Sequence, residues 1–330
     1  MGDHNLRSAL FSKDKQSCYN IIATNLKGNK LVNTIYEMLH AGASVKVTEN
    51  HNNESTLHPI CVINSIKNFI GDDKDNPSLK LMKFMIDYLQ DFEFRKNDEI
   101  RLQESFIKDA GQIVFVGEFE DACQNGDWED AEVLMYKIFS ASDRSRSILD
   151  TLVDLALQNT PENVVFVYHL LRGFQFQEEK NDSWVFIKCL YSQIKLNGIG
   201  KAHDSVEIIP DIIKKKIFQD GDVIIFSAIQ NIWNGDYVKI RSYRRELSYW
   251  LNEMRFDESI KTNLIDNHFL MDLNNQFYIG LAEKIINQKI SISQKATSLV
   301  TLEAIRSITK NIDDKSLRYI GSRFNYLALS

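Results

Sequence analysis

Residues 57–89, LHPICVINSIKNFIGDDKDNPSLKLMKFMIDYL, contain the pattern that decides the fold. Apolar residues recur at intervals of three and four on both sides of a polar loop, a period typical of amphipathic helices. The pattern predicts one helix from Ser55 to Ile70 and a second that begins near Leu79. The same period continues along almost the whole chain and predicts, for example, an earlier helix over residues 29–42.

The chain also resembles itself. Residues 57–89 align without a gap on residues 162–194, ENVVFVYHLLRGFQFQEEKNDSWVFIKCLYSQI, and apolar positions stay in phase across both helices and the loop between them. A third, more divergent copy is predicted over Ser298–Leu327. Such a duplication is typical of helical units that stack and bury their apolar faces against one another.

Composition also favours an all-α fold. The chain has 4 Pro and 14 Gly among 330 residues, whereas β-sandwiches, barrels and propellers need many tight turns. We therefore predict an internally duplicated helical array, either a compact helical-repeat bundle, which we favour, or a short solenoid. Its three units are expected at residues 1–110, 111–215 and 216–330, within one continuous body.

A short turn motif recurs as well. The sequence NGDW at residues 125–128 reappears as NGDY at residues 234–237. In each copy the glycine is expected to end one helix in the left-handed conformation. The aspartate that follows is expected to cap the next helix by accepting its free backbone N–H groups.

Composition, charge and the spacing of the cysteines indicate a globular cytoplasmic protein. The residues are 44% hydrophobic and 25% charged, with a net charge of -6, which is typical of a soluble globular chain. The 4 cysteines form no C-x-x-C pair, and no uncharged apolar stretch approaches the roughly 18 residues of a membrane span. The first residues show no signal-peptide pattern. We predict a cytoplasmic protein with reduced thiols and no membrane contact.

Sequence motifs give little support to enzymes that use ATP, NAD or a serine nucleophile, or to nucleic-acid-binding proteins. The sequence has no Walker A, G-x-G-x-x-G, H-E-x-x-H or G-x-S-x-G motif, which disfavours enzymes that use ATP, NAD or a serine nucleophile. Lys239–Arg245, followed by Tyr249 and Trp250, mixes cations with aromatic residues as RNA-binding surfaces do. The sequence pI near 5.7 leaves no broad basic face, so nucleic acid is not an expected partner.

The segment Val47–Phe69, VTENHNNESTLHPICVINSIKNF, resembles part of the helical region that accompanies Rieske-type [2Fe-2S] domains in bacterial proteins. In that region a polar loop leads into a helix that opens with one or two histidines. More distantly, the chain is similar to questin oxidase-like helical proteins, which are described as oxygenases. The resemblance implies a shared helical scaffold. This chain has a single histidine, His58, where a pair is typical, and it lacks the C-x-H and C-x-x-H ligands of a Rieske cluster.

Three residues where this loop meets the helix are candidate metal ligands. His51, Glu54 and His58 offer nitrogen and oxygen atoms that suit zinc or non-haem iron with an open coordination position. In the alternative interpretation, His58 caps the start of the helix and His51 is solvated. No cofactor is identified from the sequence, and iron or zinc is the ion that this cluster would bind.

Polar residues on apolar helices form the second set of candidates. His169 lies among large apolar side chains, and Asn64 occupies the matching place in the first copy. The two could face one another across an internal pocket as catalytic groups together with Arg172, or they could be satisfied polar groups of the core. Arg172 aligns with Lys67 and, in the third copy, with Arg306. We expect these cations to share a carboxylate, for instance Glu118 or Glu120, or to bind an anion.

The candidate residues are compatible with two functions. The first is a helical-repeat binding or scaffold protein whose groove takes another protein or a small molecule, because no complete catalytic constellation is present. The alternative is a metal- or cofactor-dependent oxidoreductase-like enzyme with a His-lined cavity between the repeats. The second interpretation follows from the resemblance and from the placement of His51, His58 and His169.

Overall fold

The computed structural model describes residues 5–48, 57–96, 98, 100, 102, 115–176, 182–204, 208–220, 222–254 and 274–310. Within these residues the chain forms fifteen helices and no strand, with one isolated antiparallel bridge between Val45 and Phe94. The predicted all-α class is therefore confirmed. None of the described helices is long and apolar enough to cross a membrane.

The helices follow one another closely along the chain. They are α1 (Leu6–Phe11), α2 (Lys15–Thr24), α3 (Gly28–Ala43), α4 (Pro59–Asp72), α5 (Leu79–Gln90), α6 (Val116–Asn125), α7 (Trp128–Ala141), α8 (Ser147–Leu157), α9 (Thr160–Phe174), α10 (Ser183–Asn197), α11 (Pro210–Asp220), α12 (Val223–Trp233), α13 (Ile240–Glu253), α14 (Phe277–Asn287) and α15 (Ile292–Thr309).

The two aligned stretches of sequence each contain a pair of helices, α4 with α5 and α9 with α10. Helix α4 begins at Pro59, later than the predicted Ser55. Proline has no N–H to lose at a first helical position, and His58 precedes it in an extended conformation as the N-cap. The internal duplication and the boundaries of its three units stay predictions.

The recurring NGD motif behaves differently in its two copies. Gly126 ends α6 in the left-handed conformation, with φ of 79°, as predicted. Asp127 occupies the N-cap position of α7, but its side chain accepts no hydrogen bond from the helix, so the predicted side-chain cap is wrong. Gly235 has no positive φ, and α13 begins only at Ile240. The ring of Tyr237 packs directly over Gly235, and this local turn delays the start of α13.

Four helices form a closed ring at the centre of the molecule. Helix α4 packs against α9 and α15, and α12 packs against the same two helices from the other side. In an open solenoid each unit contacts only its neighbours along the chain. Here α15, from the last predicted unit, packs against α4, from the first. This packing favours the compact arrangement over the solenoid.

Asp182 connects helices α1, α3 and α10, which lie far apart in the sequence. It stands at the N-cap of α10, where its side chain caps no N–H group of the helix. Instead, its carboxylate accepts hydrogen bonds from Arg7 of α1, at 2.9 Å, and from the hydroxyl of Tyr36 in α3. Arg7 also pairs with Glu37 at 2.6 Å. These bonds hold α1 and α3 against the start of α10.

Candidate functional site

A cleft of about 350 Å³ lies between the first turn of α4 and the facing sides of α9 and α10. The segment after α3 and the side chain of Phe92 complete its walls. The cleft mixes aliphatic and aromatic side chains with two side-chain amides from the last turns of α10, and Lys46 and Glu162 add one charge of each sign to its lining. The lining residues used below are His58, Cys61, Val165, Phe166, Gln193 and Asn197.

His58 enters the cleft because it caps α4. Its Nδ1 accepts a hydrogen bond from the backbone N–H of Ile60 at 3.2 Å, which places the proton of the neutral ring on Nε2. That Nε2 lies 3.6 Å from the Sγ atom of Cys189. The imidazole meets the ring of Phe166 edge-on, with centroids 5.0 Å apart. The capping interpretation of His58 is therefore the one that the structure supports.

Burial determines the protonation states of His58, which lines the cleft, and of the thiols of Cys61 and Cys189. It lowers the pKa of His58 to about 3, with the charge of Arg95 adding to the effect, so the imidazole is neutral at physiological pH. Burial also raises the pKa of the Cys189 thiol to about 11 and raises that of Cys61. Both thiols are therefore protonated and poor nucleophiles.

The predicted metal ligands divide between described and undescribed residues. His58 lines the cleft, while His51 and Glu54 lie outside the described residues. Across the described ranges, no group of three or more His, Cys, Asp or Glu side chains is placed to hold a metal ion. Both nitrogens of His58 are already in contact with Ile60 and Cys189. The iron or zinc site thus stays a prediction.

Asn64 and His169 do face one another, as the alignment of the two copies predicted. Asn64 Nδ2 lies 2.8 Å from His169 Nδ1, and the two side chains are 0% and 2% exposed. Neither residue belongs to the lining of the cleft, and neither does Arg172, which is exposed. Burial lowers the pKa of His169 to about 3, and the charge of Lys67 contributes. The geometry is that of a polar pair within the core, joined by this one hydrogen bond, while Asn64 Oδ1 has no partner among the described residues.

Lys67 and Arg172 face a carboxylate, but a different one from those that the sequence suggested. Glu120 pairs with Lys239 at 3.4 Å instead. The acid that interacts with Lys67 and Arg172 is Glu303 of α15, which is 1% exposed. Sequence reasoning missed Glu303, although the alignment of Arg306 with the other two cations had pointed to the same helix.

Glu303 belongs to a polar layer within the ring of helices. Its carboxylate accepts a hydrogen bond from Asn68 at 2.7 Å and lies 3.8 Å from the guanidinium of Arg306. Burial raises the pKa of Glu303. Arg306 in turn binds both carboxylate oxygens of Asp72, so it joins α15 to the end of α4.

Three of the four cations in the basic and aromatic stretch bind acceptors within the fold, while the fourth, Arg241, is exposed. Lys239 also lies 3.7 Å from Asp154, Arg244 donates to the backbone oxygen of Trp233 at 2.8 Å, and Arg245 pairs with Glu246 at 2.8 Å. Their charges are therefore partly compensated by the protein's own acceptors. The expectation about nucleic acid stays a prediction.

The chain matches no protein-family profile, no curated protein and no solved structure.

Proposed function

We propose that this protein binds a small molecule in the cleft between α4, α9 and α10. The observation behind the proposal is the cleft itself, whose volume of about 350 Å³ falls in the range of roughly 300–1,000 Å³ typical of ligand pockets. The proposal corresponds to the binding-protein function expected from the sequence, with a small molecule as the partner.

The lining indicates the chemistry of the ligand. Val165, Phe166 and the neutral ring of His58 offer surface for an aromatic or aliphatic body. Asn197 uses its amide N–H groups on Glu162 and Asn163, each at 3.0 Å, which leaves its oxygen Oδ1 as an acceptor. The side chain of Gln193 makes no hydrogen bond within the described residues. We therefore infer a ligand with an apolar body and a hydrogen-bond donor.

The enzyme alternative receives less support from the cleft. An imidazole that serves as a base or a metal ligand needs a free nitrogen lone pair, and the lone pair of His58 Nδ1 accepts from Ile60. The pKa values of Cys61 and Cys189 are raised by burial, which disfavours thiolate chemistry. The oxidoreductase-like function stays a prediction without a residue that favours it.

Titration calorimetry with 1-aminoanthracene, which has an aromatic body and one amine donor, tests the proposal. We expect saturable binding at one site per chain. Val165→Trp fills the cleft and should weaken binding by at least about tenfold, or 1.4 kcal/mol. Val133→Trp is the matched control, because Val133 is 52% exposed on α7 and does not line the cleft. It should bind like the wild type.

Two results would contradict the proposal. One is a lack of saturable binding to the wild type. The other is equal affinity in the Val165→Trp and Val133→Trp variants, which would place the dye elsewhere on the surface. Circular dichroism of both variants confirms that the helices are intact.

A further inference from the structure

Lys67 is an almost fully buried lysine whose Nζ atom has no hydrogen-bond acceptor among the described residues. It lies on α4 within the ring of helices, and 7% of its surface is exposed. Its Nζ makes neither a hydrogen bond nor an ion pair within the described part of the chain, and it lies 5.2 Å from the ring centroid of Phe176. A buried ammonium group with so few partners has lost most of its hydration without replacement.

The charges that face Lys67 come from two neighbouring helices. Arg172 and His169 approach from α9, and Glu303 and Arg306 approach from α15. Arg306 is neutralised by Asp72, whereas Arg172 has no carboxylate within ion-pair distance in the described residues. Burial lowers the pKa of Lys67, the charges of Arg172 and Arg306 act in the same direction, Glu303 opposes them, and the resulting pKa is about 7. A substantial fraction of Lys67 is therefore a neutral amine at neutral pH.

Lys188 shows what an equally buried lysine looks like when it is paired. It is 6% exposed, but its Nζ donates to the carboxylate of Glu132 and lies over the ring of Tyr191. Burial lowers the pKa of Lys188 too, and the bond to Glu132 opposes that change. Lys188 keeps its proton in a salt bridge that Lys67 lacks, so the two form a matched pair for an experiment.

We propose that Lys67 is a reactive amine that condenses with a small carbonyl compound bearing a carboxylate, such as a 2-oxo acid, and that Arg172 binds the carboxylate. The guanidinium of Arg172 is exposed and donates within the protein only to Gln175, at 3.0 Å, among the described residues. It is thus free to meet an anion. The site is separate from the cleft, and the proposal does not depend on ligand binding there.

The condensation is balanced without a further reactant. The lone pair of Nζ forms a bond to the carbonyl carbon, and the resulting carbinolamine then loses its C–O bond. Both hydrogens of the amine leave with the carbonyl oxygen as one molecule of water. The imine that remains links Lys67 to the ligand and is trapped by a hydride donor as a secondary amine.

Reductive labelling of the full chain tests the proposal. The protein is incubated with glyoxylate and cyanoborohydride at neutral pH, and carboxymethyl-lysine is located by peptide mass spectrometry. We expect Lys67 to be labelled at least about tenfold faster than Lys188, because a paired ammonium has no free lone pair. The rate at Lys67 should level off near pH 7.

An arginine variant tests the anion-binding part separately. The ratio of labelling by glyoxylate to labelling by the uncharged propanal is measured at Lys67 in the wild type and in Arg172→Gln. We expect the ratio to fall at least about fivefold in the variant, since only glyoxylate has a carboxylate for the guanidinium to bind. Using the ratio cancels any change in the amine's protonation, and Lys188 in the same digest reports on folding.

Equal rates at Lys67 and Lys188 would overturn the reactive amine. An unchanged ratio in Arg172→Gln would overturn the role of Arg172.

Discussion

At the scale of single residues, the hydrogen bond between Asn64 and His169 shows how polar groups are accommodated inside the ring. Each residue lies on a largely apolar helix, and a single hydrogen bond of 2.8 Å joins the two side chains. A buried polar group costs free energy chiefly when its partner is missing. The pair is therefore expected to behave as one unit.

A double-mutant cycle tests this expectation. Asn64→Leu and His169→Leu should each lower the free energy of unfolding by about 1–3 kcal/mol, because each leaves one buried polar group without its partner. The double variant should be more stable than the sum of the two losses predicts, since both polar groups are gone. Urea unfolding measures all four proteins. Strictly additive losses would show that the two residues do not act together.

The neutral histidines make stability depend on pH in a defined direction. The pKa of His169 is about 3 in the folded chain, against an ordinary value near 6.5. Between these values the unfolded chain binds a proton that the folded chain does not, so stability falls as pH falls. Each such histidine contributes a slope of about 1.4 kcal/mol per pH unit in that window.

The double variant Asn64→Leu/His169→Leu isolates this effect. As pH is lowered from about 6 to about 4, the wild type should lose about 1.4 kcal/mol more per pH unit than the variant, which lacks one of the histidines. Urea unfolding over a series of pH values gives both curves. Parallel curves would mean that His169 is protonated in the folded chain as readily as in the unfolded chain.

Sequence reasoning found the cations of the polar layer but not the acidic residues that face them. Local periodicity placed Asn64 and His169 on apolar helix faces, and the alignment of copies put them opposite one another. It could not give Glu303, because which carboxylate reaches Lys67 depends on how α15 returns to α4 across more than half of the chain. The cleft was equally invisible, since its walls come from three helices and the segment after α3.

At the scale of elements, the helices themselves were the most predictable feature. The predicted helix over 29–42 is observed at Gly28–Ala43, because apolar spacing and helix period agree there. Helix ends were less predictable. Gly126 takes the left-handed conformation while Gly235 does not, and the difference depends on the Tyr237 ring rather than on the motif that the two share.

Replacing glycine by alanine is expected to change stability in opposite directions at the two ends of α6. Gly126→Ala should lower the free energy of unfolding by about 1 kcal/mol, because alanine is strained at a φ of 79°. Gly117→Ala is the matched control: it lies in the first turn of α6, and an added Cβ meets nothing within 4 Å. It should raise stability by about 0.5 kcal/mol. Thermal unfolding of both variants checks the two signs, and a Gly126→Ala variant as stable as the wild type would contradict the left-handed assignment.

At the scale of the whole molecule, the closed ring predicts how the chain unfolds. Because α4, α9, α12 and α15 form one ring, none of them can leave without exposing the two that it packs against. Hydrogen exchange in increasing urea should therefore give one midpoint for peptides from all four helices. Arg306→Met removes the bond between α15 and Asp72 and should lower that midpoint equally in the four. Separate midpoints for α4 and α15 would indicate units that unfold like those of a solenoid.

The link between Arg306 and Asp72 also has a consequence for the order of events during synthesis. A ribosome releases α4 long before α15, so the nascent chain exposes the side of α4 that packs against α15 until this last member of the ring emerges. Until α15 is made, the other helices of the ring lack one packing partner and expose surface of the kind that chaperones recognise. Maturation of this protein therefore waits for its final described helix, and a premature stop before residue 292 yields a chain that cannot close.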